Sequence, residues 1–550
     1  MNPALNNFIK DNTPVIDPRI GDGISYSESG KIPAFIDRVL RINSASFPKG
    51  MVYKGLRKAT PLEGYKYQTR PLNNIRRYDI NRNDIRMYVF DFEFNGTPMS
   101  KYIYLPFISR HGFMHMNGVK YVVSPVVADG IMTIKPNSIF VKLIKTKLWF
   151  ERFVTQIVVD GVREYVPIYF SKIHHKESDG SAGGRMIKMK PTLVHYLCCK
   201  YGLTKTLDLF SLSNVQMVDI QEFKQNPDKY PREDWVVIES TGKKPARTYS
   251  YMLYTPMQYL FLVPRKEYEA ISTSPSVMGT LIYILEHFPS PRRMNPDTIN
   301  NIDAWRLMLG ESIRSSDEHY AVIKNAMDKH MISLDEYVDE MVHDDFKRIG
   351  FAQIDSVYKL FIFIVQNFNL MVSEVNKIAT SNSFYGKQLQ VLQFLLFNIV
   401  KAINRCYFEL NSLRIEQERD PNKNIKDDDI RKILNNIRPE EIMRIKEHAE
   451  IIPVEDPTDL PLLKLGRIVV PQEKSDKLRT AKTSFDVNSP ENKLNASLIE
   501  AGAALDMAKA DPAGRNRINL FVNLSDDLTI IPNPKLEPIM SELRDKLGQD

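Results

Sequence analysis

The sequence predicts an α+β, multidomain chain, with a β-rich amino-terminal region followed by a helical one. Three observations predict it. At 550 residues and 43% hydrophobic content the chain can bury several cores. Its first half carries short, aromatic-rich runs broken by Asn-Gly and Asp-Gly pairs, the local signature of hairpins. Its second half repeats apolar residues at helical spacing. Changes in composition and proline punctuation divide the chain into an extension over 1–48, a β-rich domain over 49–176, a mixed domain over 177–330, a helical domain over 331–452, and a Pro-punctuated segment with a short helix over 453–550.

The elements follow in order. Residues 87–94 and 102–108 read as strands with partial alternation. Asn117-Gly118 lies between apolar runs at 113–116 and 119–123, and Asp160-Gly161 lies between 156–159 and 162–170. A two-residue type I′ turn needs positive φ at both central positions, which these pairs tolerate best. The Gly- and Ser-rich stretch 177–184 reads as a flexible loop. From Ser274 the period becomes helical. Val357, Leu360, Phe361, Ile364, Phe368 and Met371 share one helix face, as do Leu389, Leu392, Leu396, Ile399 and Ile403. Ser333 and Glu336 have the spacing of a capping box that opens a helix. Residues 420–429 read as an exposed charged linker, 428–450 as a helix ending near Pro453, and the Ala-rich 494–510 as a last helix.

Composition excludes several classes. Charged residues make up 26% of the chain, near the globular average, so general disorder is not expected. The net charge of +7 is mild, so any polyanion site must come from local clustering. Three cysteines, Cys198, Cys199 and Cys406, cannot build a disulfide framework and suit a reducing compartment. Residues 1–10 lack a basic stretch followed by an apolar core, so no secretory signal is expected. The most apolar stretches, 357–371 and 389–403, are interrupted by polar residues and fall short of the ~20 residues a membrane span needs. A soluble chain with no membrane partner is expected.

Clustered base is the main chemical signal. Between Lys49 and Arg86 stand Lys54, Arg57, Lys58, Lys66, Arg70, Arg76, Arg77 and Arg82, opposed only by Glu63, Asp79 and Asp84, with Tyr53, Tyr65, Tyr67 and Tyr78 interleaved. Lys and Arg neutralise phosphates, and Tyr stacks on unpaired bases. The alternative is a solvated basic face. Lys135, Lys142, Lys145, Lys147 and Arg152 form a second cluster that does not share one strand face. The candidate nucleic-acid ligands are Arg57, Lys58, Arg70, Arg76, Arg77, Arg82, Lys142 and Lys145.

Metal and catalytic signals are weak. His195, Cys198 and Cys199, with His174 and His175 upstream, offer one ligand pairing where structural zinc wants two, so buried thiols with surface histidines are expected. Asp91 and Glu93 share a strand face and could hold a metal, but a solvent-facing strand explains them as well. Asp427, Asp428 and Asp429 suit a helix N-terminus. No Walker A, Gly-x-Ser-x-Gly or His-Glu-x-x-His pattern occurs. No catalytic or metal-binding residue is assigned, and no cofactor is expected on this chain.

The strongest local pattern is 105–124: a strand through Leu105 and Pro106, a kink at Gly112, a strand, the Asn117-Gly118 turn, and a strand ending in Val122, Val123 and Ser124. An ordinary β-meander would look the same. As a pattern it resembles the protrusion region of the RNA polymerase β subunit. Leu105-Pro106 falls on that family's Ile-Pro, Gly112 on its glycine, Asn117-Gly118 on its Asn-Gly, and Val122, Val123 and Ser124 on its Val-Val-Ser. Gly112, Asn117 and Gly118 are therefore the structural turn residues. Lys120-Tyr121 and Pro125 depart from the pattern, as does the stretch Ala128 to Ile131. The close match covers about twenty residues. With the chain's length it resembles the amino-terminal half of a split β subunit, as in the multisubunit polymerases of phiKZ-like giant bacteriophages.

That resemblance implies a non-catalytic core subunit of a DNA-directed RNA polymerase, with protrusion-like 49–176 and lobe-like 177–330 walling the DNA cleft. It implies β C-terminal-like and β′-like subunits as partners, with double- and single-stranded DNA and an RNA–DNA hybrid as ligands. The nucleotidyltransferase chemistry and its Mg²⁺ would belong to a β′-like partner, because the family's Asn-Ala-Asp-Phe-Asp-Gly-Asp run is missing here; the chain alone would be inactive. It would work in the cytoplasm of an infected bacterium or be packaged in the virion. The alternatives are a phage nucleic-acid-binding protein and a virion structural protein, neither associated with a polymerase.

Overall fold

The computed structural model describes residues 16–44, 47–68, 82–135, 138–143, 147–171, 191–242, 257–288, 294–313, 318–335, 337–378, 384–420, 425–443 and 451–454, with short pieces between 464 and 545 (464–465, 468–469, 497, 516–517, 519, 522–534, 542 and 545). The chain forms two compact units. One joins 1–130 to 379–550, and the other is the continuous segment 131–378. Both strands and helices are abundant in several sheets, so the α+β class stands. The segment 49–176 is divided between the two units at 130/131, and 331–452 is divided at 378/379.

In chain order, the first unit opens with helices α1 (Pro18–Asp22), α2 (Ile24–Ser29) and α3 (Ile32–Asn43). Strand β1 (Met51–Lys58) leads to helix α4 (Pro61–Gln68) and to the hairpin β2 (Ile85–Phe94) and β3 (Thr97–Pro106). These strands form one antiparallel sheet in the order β1-β2-β3. A short turn at Arg110–Gly112 precedes β4 (Phe113–Met116), β5 (Val119–Val123) and β6 (Val126–Asp129).

The second unit is built on one antiparallel sheet. Its strands are β7 (Met132–Lys135), β8 (Ser138–Lys142), β9 (Lys147–Val159) and β10 (Val162–Ser171), then, after α5 (Leu193–Tyr201) and α6 (Leu203–Asp208), β11 (Gln216–Asp219), with α7 (Ile220–Gln225), β12 (Trp235–Ser240) and β13 (Tyr259–Pro264). The order is β11-β13-β12-β9-β8-β7. Strand β9 is long enough to hold β8 and β12 end to end on one edge while β10 runs along the other. Helices α8 (Arg265–Ala270), α9 (Ser274–His287), α10 (Ile302–Ile313), α11 (Tyr320–Asp335), α12 (Glu340–Arg348) and α13 (Val357–Ile378) complete it. The apolar face read from Val357, Leu360, Phe361, Ile364 and Phe368 is buried in its core.

The chain then returns to the first unit with β14 (Lys387–Gln390), helices α14 (Leu392–Leu395), α15 (Phe397–Arg419) and α16 (Asp427–Leu434), and β15 (Ile451–Pro453). Strand β15 pairs with β5, and β14 pairs with β6. The guanidinium of Arg19 donates to the carbonyls of Leu524, Ser525 and Asp526 at 2.9 to 3.3 Å, so α1 holds the carboxy-terminal residues against it.

Several expectations are corrected. Ser333 does not open a helix: it lies in the last turn of α11, where its hydroxyl donates to the His330 carbonyl at 2.7 Å. The next helix is opened by Asp339, whose carboxylate accepts from the Val342 amide at 3.0 Å. Leu389 is in a strand, because its backbone pairs with Val127 on one side and donates to the Leu528 carbonyl on the other. Within 420–429, Ile425 is buried and Asp427 already starts α16, its acidic first turn suiting the helix dipole. The helix expected over 428–450 stops at Leu434, and Pro439, which cannot donate a helical bond, separates it from a short turn at Glu441–Met443. The loop at 177–184 lies outside the described residues, as does 494–510 apart from Ser497.

Candidate nucleic-acid interface

The basic stretch is laid out by the β1-β2-β3 sheet. In register, Arg57 sits beside Val89 and Tyr102, Gly55 beside Asp91 and Ser100, and Val52 beside Glu93 and Pro98, all on one face. Helix α4 lies on that face, with Tyr67 packed on Tyr102 and Tyr104 at ring separations of 5.4 and 6.2 Å. Arg57 joins helix to sheet. Its guanidinium donates to both oxygens of Glu63 at 2.9 Å and, through Nε, to Asp91 at 2.7 Å. Such two-pronged pairing is the strong geometry for a guanidinium and carboxylate. The Arg57 guanidinium, with the Thr60 amide, holds the Glu63 carboxyl down to about 2. Glu63 and Asp91 in turn raise the Arg57 pKa.

The carboxylates Glu63, Asp91 and Glu93 are therefore occupied by cations of β1. Asp91 also accepts from the Ser100 hydroxyl at 2.7 Å, and Glu93 pairs with Lys54 at 2.8 Å. Among the described residues no group of three or more His, Cys, Asp or Glu is placed to hold a metal ion. On the other face, Tyr53 is buried, with its hydroxyl donating to Asp37 at 2.8 Å, so it is a core residue and not a stacking platform.

The outer surface next to this arrangement carries exposed side chains. Lys58 is exposed at the end of β1 and makes no ion pair among the described residues. Leu62 and Tyr65, 61% and 65% exposed, stand one helical turn apart on α4, with exposed Lys66 beside Tyr65. Leu62, Tyr65 and Lys66 share one outer strip of α4, where an apolar side chain, a ring and a cation can meet a base and a phosphate together, whereas Lys58, one step from Arg57 on β1, points to the other face of the sheet.

Arg82 is placed by the turn residues. Asn117 and Gly118 take φ of 51° and 79°, so the pair forms the positive-φ turn its sequence requires, and Met116 pairs with Val119. The Gly118 amide donates to the Arg82 carbonyl at 3.1 Å, and the Asn117 amide donates to Asn83 Oδ1 at 2.7 Å. Two residues on, Asp84 accepts from the amide of His115 and meets its ring Nδ1, each at 2.8 Å. Burial works to raise the Asp84 pKa, but the His115 ring and amide and the Arg82 guanidinium together lower it. Among the described residues, the exposed Arg82 guanidinium makes one long contact, to Asp84 at 3.4 Å. Gly112 also has positive φ, 80°, and the bare α-carbon of Gly23 lets its backbone pass close by.

The remaining candidates fall elsewhere. Arg70, Arg76, Arg77, Tyr78 and Lys145 lie outside the described residues. Arg86 lies over the Phe107 ring at 4.1 Å. Lys142 belongs to the second unit, half-buried on β8; it pairs in register with Lys147, an odd number of steps from Arg152, so it faces away from Arg152. His195 corrects the expectation of surface histidines: it is fully buried on α5, its Nε2 against the Trp305 carbonyl at 3.1 Å. Burial drives its pKa to about 3 and pushes the Cys198 thiol up to about 12, so neither is charged at neutral pH. Glu286, which sequence reasoning missed, is buried on α9 beside the Ser240 hydroxyl. The apolar neighbours Leu281, Ile282, Ile284 and Leu285 were its only signal.

Fold and surface thus define a multidomain α+β chain whose first unit exposes Lys58, Lys66 and Arg82. A family model described as "Non-virion RNA polymerase subunit" matches residues 5–545. The chain belongs to this family of RNA polymerase subunits. No curated protein matches it.

Proposed function

We propose that this chain is a non-catalytic core subunit of a DNA-directed RNA polymerase, equivalent to the amino-terminal part of β, which walls the DNA cleft and guides template and non-template strands. The observation that carries the reading is the family match over nearly the whole chain. The β-like assignment draws support from 105–124, where the positive-φ Asn117-Gly118 turn and the Gly112 kink stand at the positions the β protrusion pattern asks for. Its role is mechanical and electrostatic. Lys58, Arg82 and the 69–81 stretch with Arg70, Arg76 and Arg77 neutralise backbone phosphates, while Tyr65 offers a ring to an unpaired base. Nucleotidyl transfer needs metal ions on the attacking and leaving oxygens, and these are assigned to a β′-like partner. The family description speaks for work in the infected cell and against packaging in the virion.

The test is purification of the tagged chain from infected cells. A chain carrying Asn-Ala-Asp-Phe-Asp-Gly-Asp and one resembling the carboxy-terminal half of β should accompany it, and the assembly should make RNA where the isolated chain makes none. Exchange of Arg76 and Arg77 for Ala should weaken DNA binding about equally across sequences and lower the salt slope by about one per lost phosphate contact. Incorporation of nucleotides by the pure chain, or an unchanged slope, would count against the respective part.

A further inference from the structure

Among the described residues, the covers of the second unit's sheet leave part of one face open. On one face, α9 packs across β9 and β10: an added Cβ at Gly279 would meet Val166 at 2.3 Å, and Phe170 meets Tyr283 edge-on at 5.4 Å. On the opposite face two separate covers stand at the two ends. Helix α13 covers one, with Phe361 on Phe150 at 6.0 Å and Phe368 on Tyr169 at 4.8 Å. At the other, Ile220 and Phe223 of α7 pack with Tyr230 onto Val218, Val237, Leu260 and Leu262. Register sets what lies between. Arg152 opposes Tyr169, Val154 opposes Pro167, Gln156 opposes Tyr165, and Val158 opposes Arg163, all on this face. Val154 is 56% exposed and Tyr165 is 76% exposed.

This open part, among the described residues, is therefore a floor of Val154, Pro167, Tyr165 and Val158 interrupted by Gln156, with an arginine at each end. From Arg152 to Val158 it runs six strand steps, roughly 20 Å at ~3.3 Å each. Arg152 and Arg163 make no ion pair among the described residues. Tyr and Arg, both present here, are the residue types enriched at protein–protein hot spots. Exposed apolar patches ringed by polar groups on a soluble domain mark the same thing. A nucleic acid fits less well: Val154, Val158 and Pro167 offer nothing to phosphates, and half-exposed Glu239 stands beside Val158 on this face. Membership of a polymerase-subunit family supplies the class of partner.

We propose that this gap docks a segment of another polymerase subunit, one that sets apolar side chains on Val154, Tyr165 and Pro167 and carboxylates on Arg152 and Arg163. The proposal rests on the polymerase-subunit reading but concerns a different surface from Lys58 and Arg82. The test replaces Tyr165, and separately Val154, by photoreactive p-benzoylphenylalanine in the tagged chain, made in infected cells and irradiated in the purified assembly. The expected adduct joins another polymerase chain at a peptide that contains apolar residues and Asp or Glu. Exchanging both arginines for Glu should lower retention of that same chain roughly tenfold in salt washes, with no change in the melting of the isolated subunit. An adduct to nucleic acid or within the same chain overturns the proposal, as does no adduct while polymerase chains still copurify. If no polymerase chain copurifies at all, the proposed function falls as well.

Discussion

The Gly118 amide donates to the Arg82 carbonyl at 3.1 Å, so the tightest turn of the 105–124 meander also fixes the backbone of a candidate phosphate ligand. Gly118 stands at φ 79°, where a β-branched residue is a steric outlier. Gly118→Val should cost on the order of 1–3 kcal/mol, while Gly118→Asn should be mild because Asn visits the left-handed region. Because the bond runs through Arg82, the Val variant should also weaken DNA binding beyond its loss of stability. Melting curves and binding isotherms on both variants check this; equal melting temperatures would remove the strained turn.

Arg57 and Lys58 are neighbours with opposite roles. Arg57 is committed to Glu63 and Asp91, so Arg57→Ala should free α4 from its sheet and cost about 1 kcal/mol, the upper range for partly exposed pairs. Arg57→Lys should restore little, because an ammonium cannot grip both Glu63 oxygens in the same plane. Lys58→Ala should leave melting unchanged and reduce the salt slope of DNA binding by about one. If Lys58→Ala leaves the slope intact, Lys58 is a solvated cation and not a phosphate ligand.

Glu286 gives the second unit a pH dependence. Burial pushes its carboxyl up to about 8, against about 4.3 in an unfolded chain. Between those values the folded state binds the proton and the unfolded state does not, so the contribution of Glu286 to stability is full below about pH 4 and falls as pH rises toward 8. Glu286→Gln keeps the shape and an acceptor for the Ser240 hydroxyl without the charge. It should stabilise on the order of 1–3 kcal/mol at pH 8 and change little at pH 4. Thermal unfolding of both forms across that range measures it; parallel curves would show that Glu286 does not carry the slope.

These side chains also show which features could be read from the sequence. Asn117-Gly118 and Asp160-Gly161 were legible because a two-residue turn is decided by the backbone freedom of its own residues, and Asn95-Gly96, at φ 48° and 84°, obeys the same rule. The α13 face was legible because its period is local. Leu389 was not, since its strand exists only by pairing with Val127 and Leu528, distant in sequence. Ser333 fits a capping pattern equally well at the end of a helix as at the start. The basic surface could be read as composition, but not the fate of each cation: Asp91, which neutralises Arg57, lies 34 residues away on another strand.

The contact of α9 with the sheet makes the last prediction. Gly279 is the point where helix and hairpin come closest, with the space for its absent Cβ filled by Val166 Cγ2 at 2.3 Å and Thr155 Cγ2 at 3.4 Å. In an open helix, Gly→Ala would stabilise by reducing unfolded-chain entropy and improving helix propensity, together about 1 kcal/mol. Here the new methyl must push α9 off β10 or drive Val166 into a strained rotamer, and overpacking of that kind costs about 1–3 kcal/mol. The steric term is the larger, so Gly279→Ala should destabilise the second unit. Val166→Ala alone should also destabilise, because it removes two buried methyl groups. The double variant should be more stable than the sum of the single costs implies, since the methyl added at position 279 fills the space that the shortened side chain at 166 leaves. A coupling energy near zero in that double-mutant cycle would mean that α9 and β10 are not packed as tightly as this contact requires.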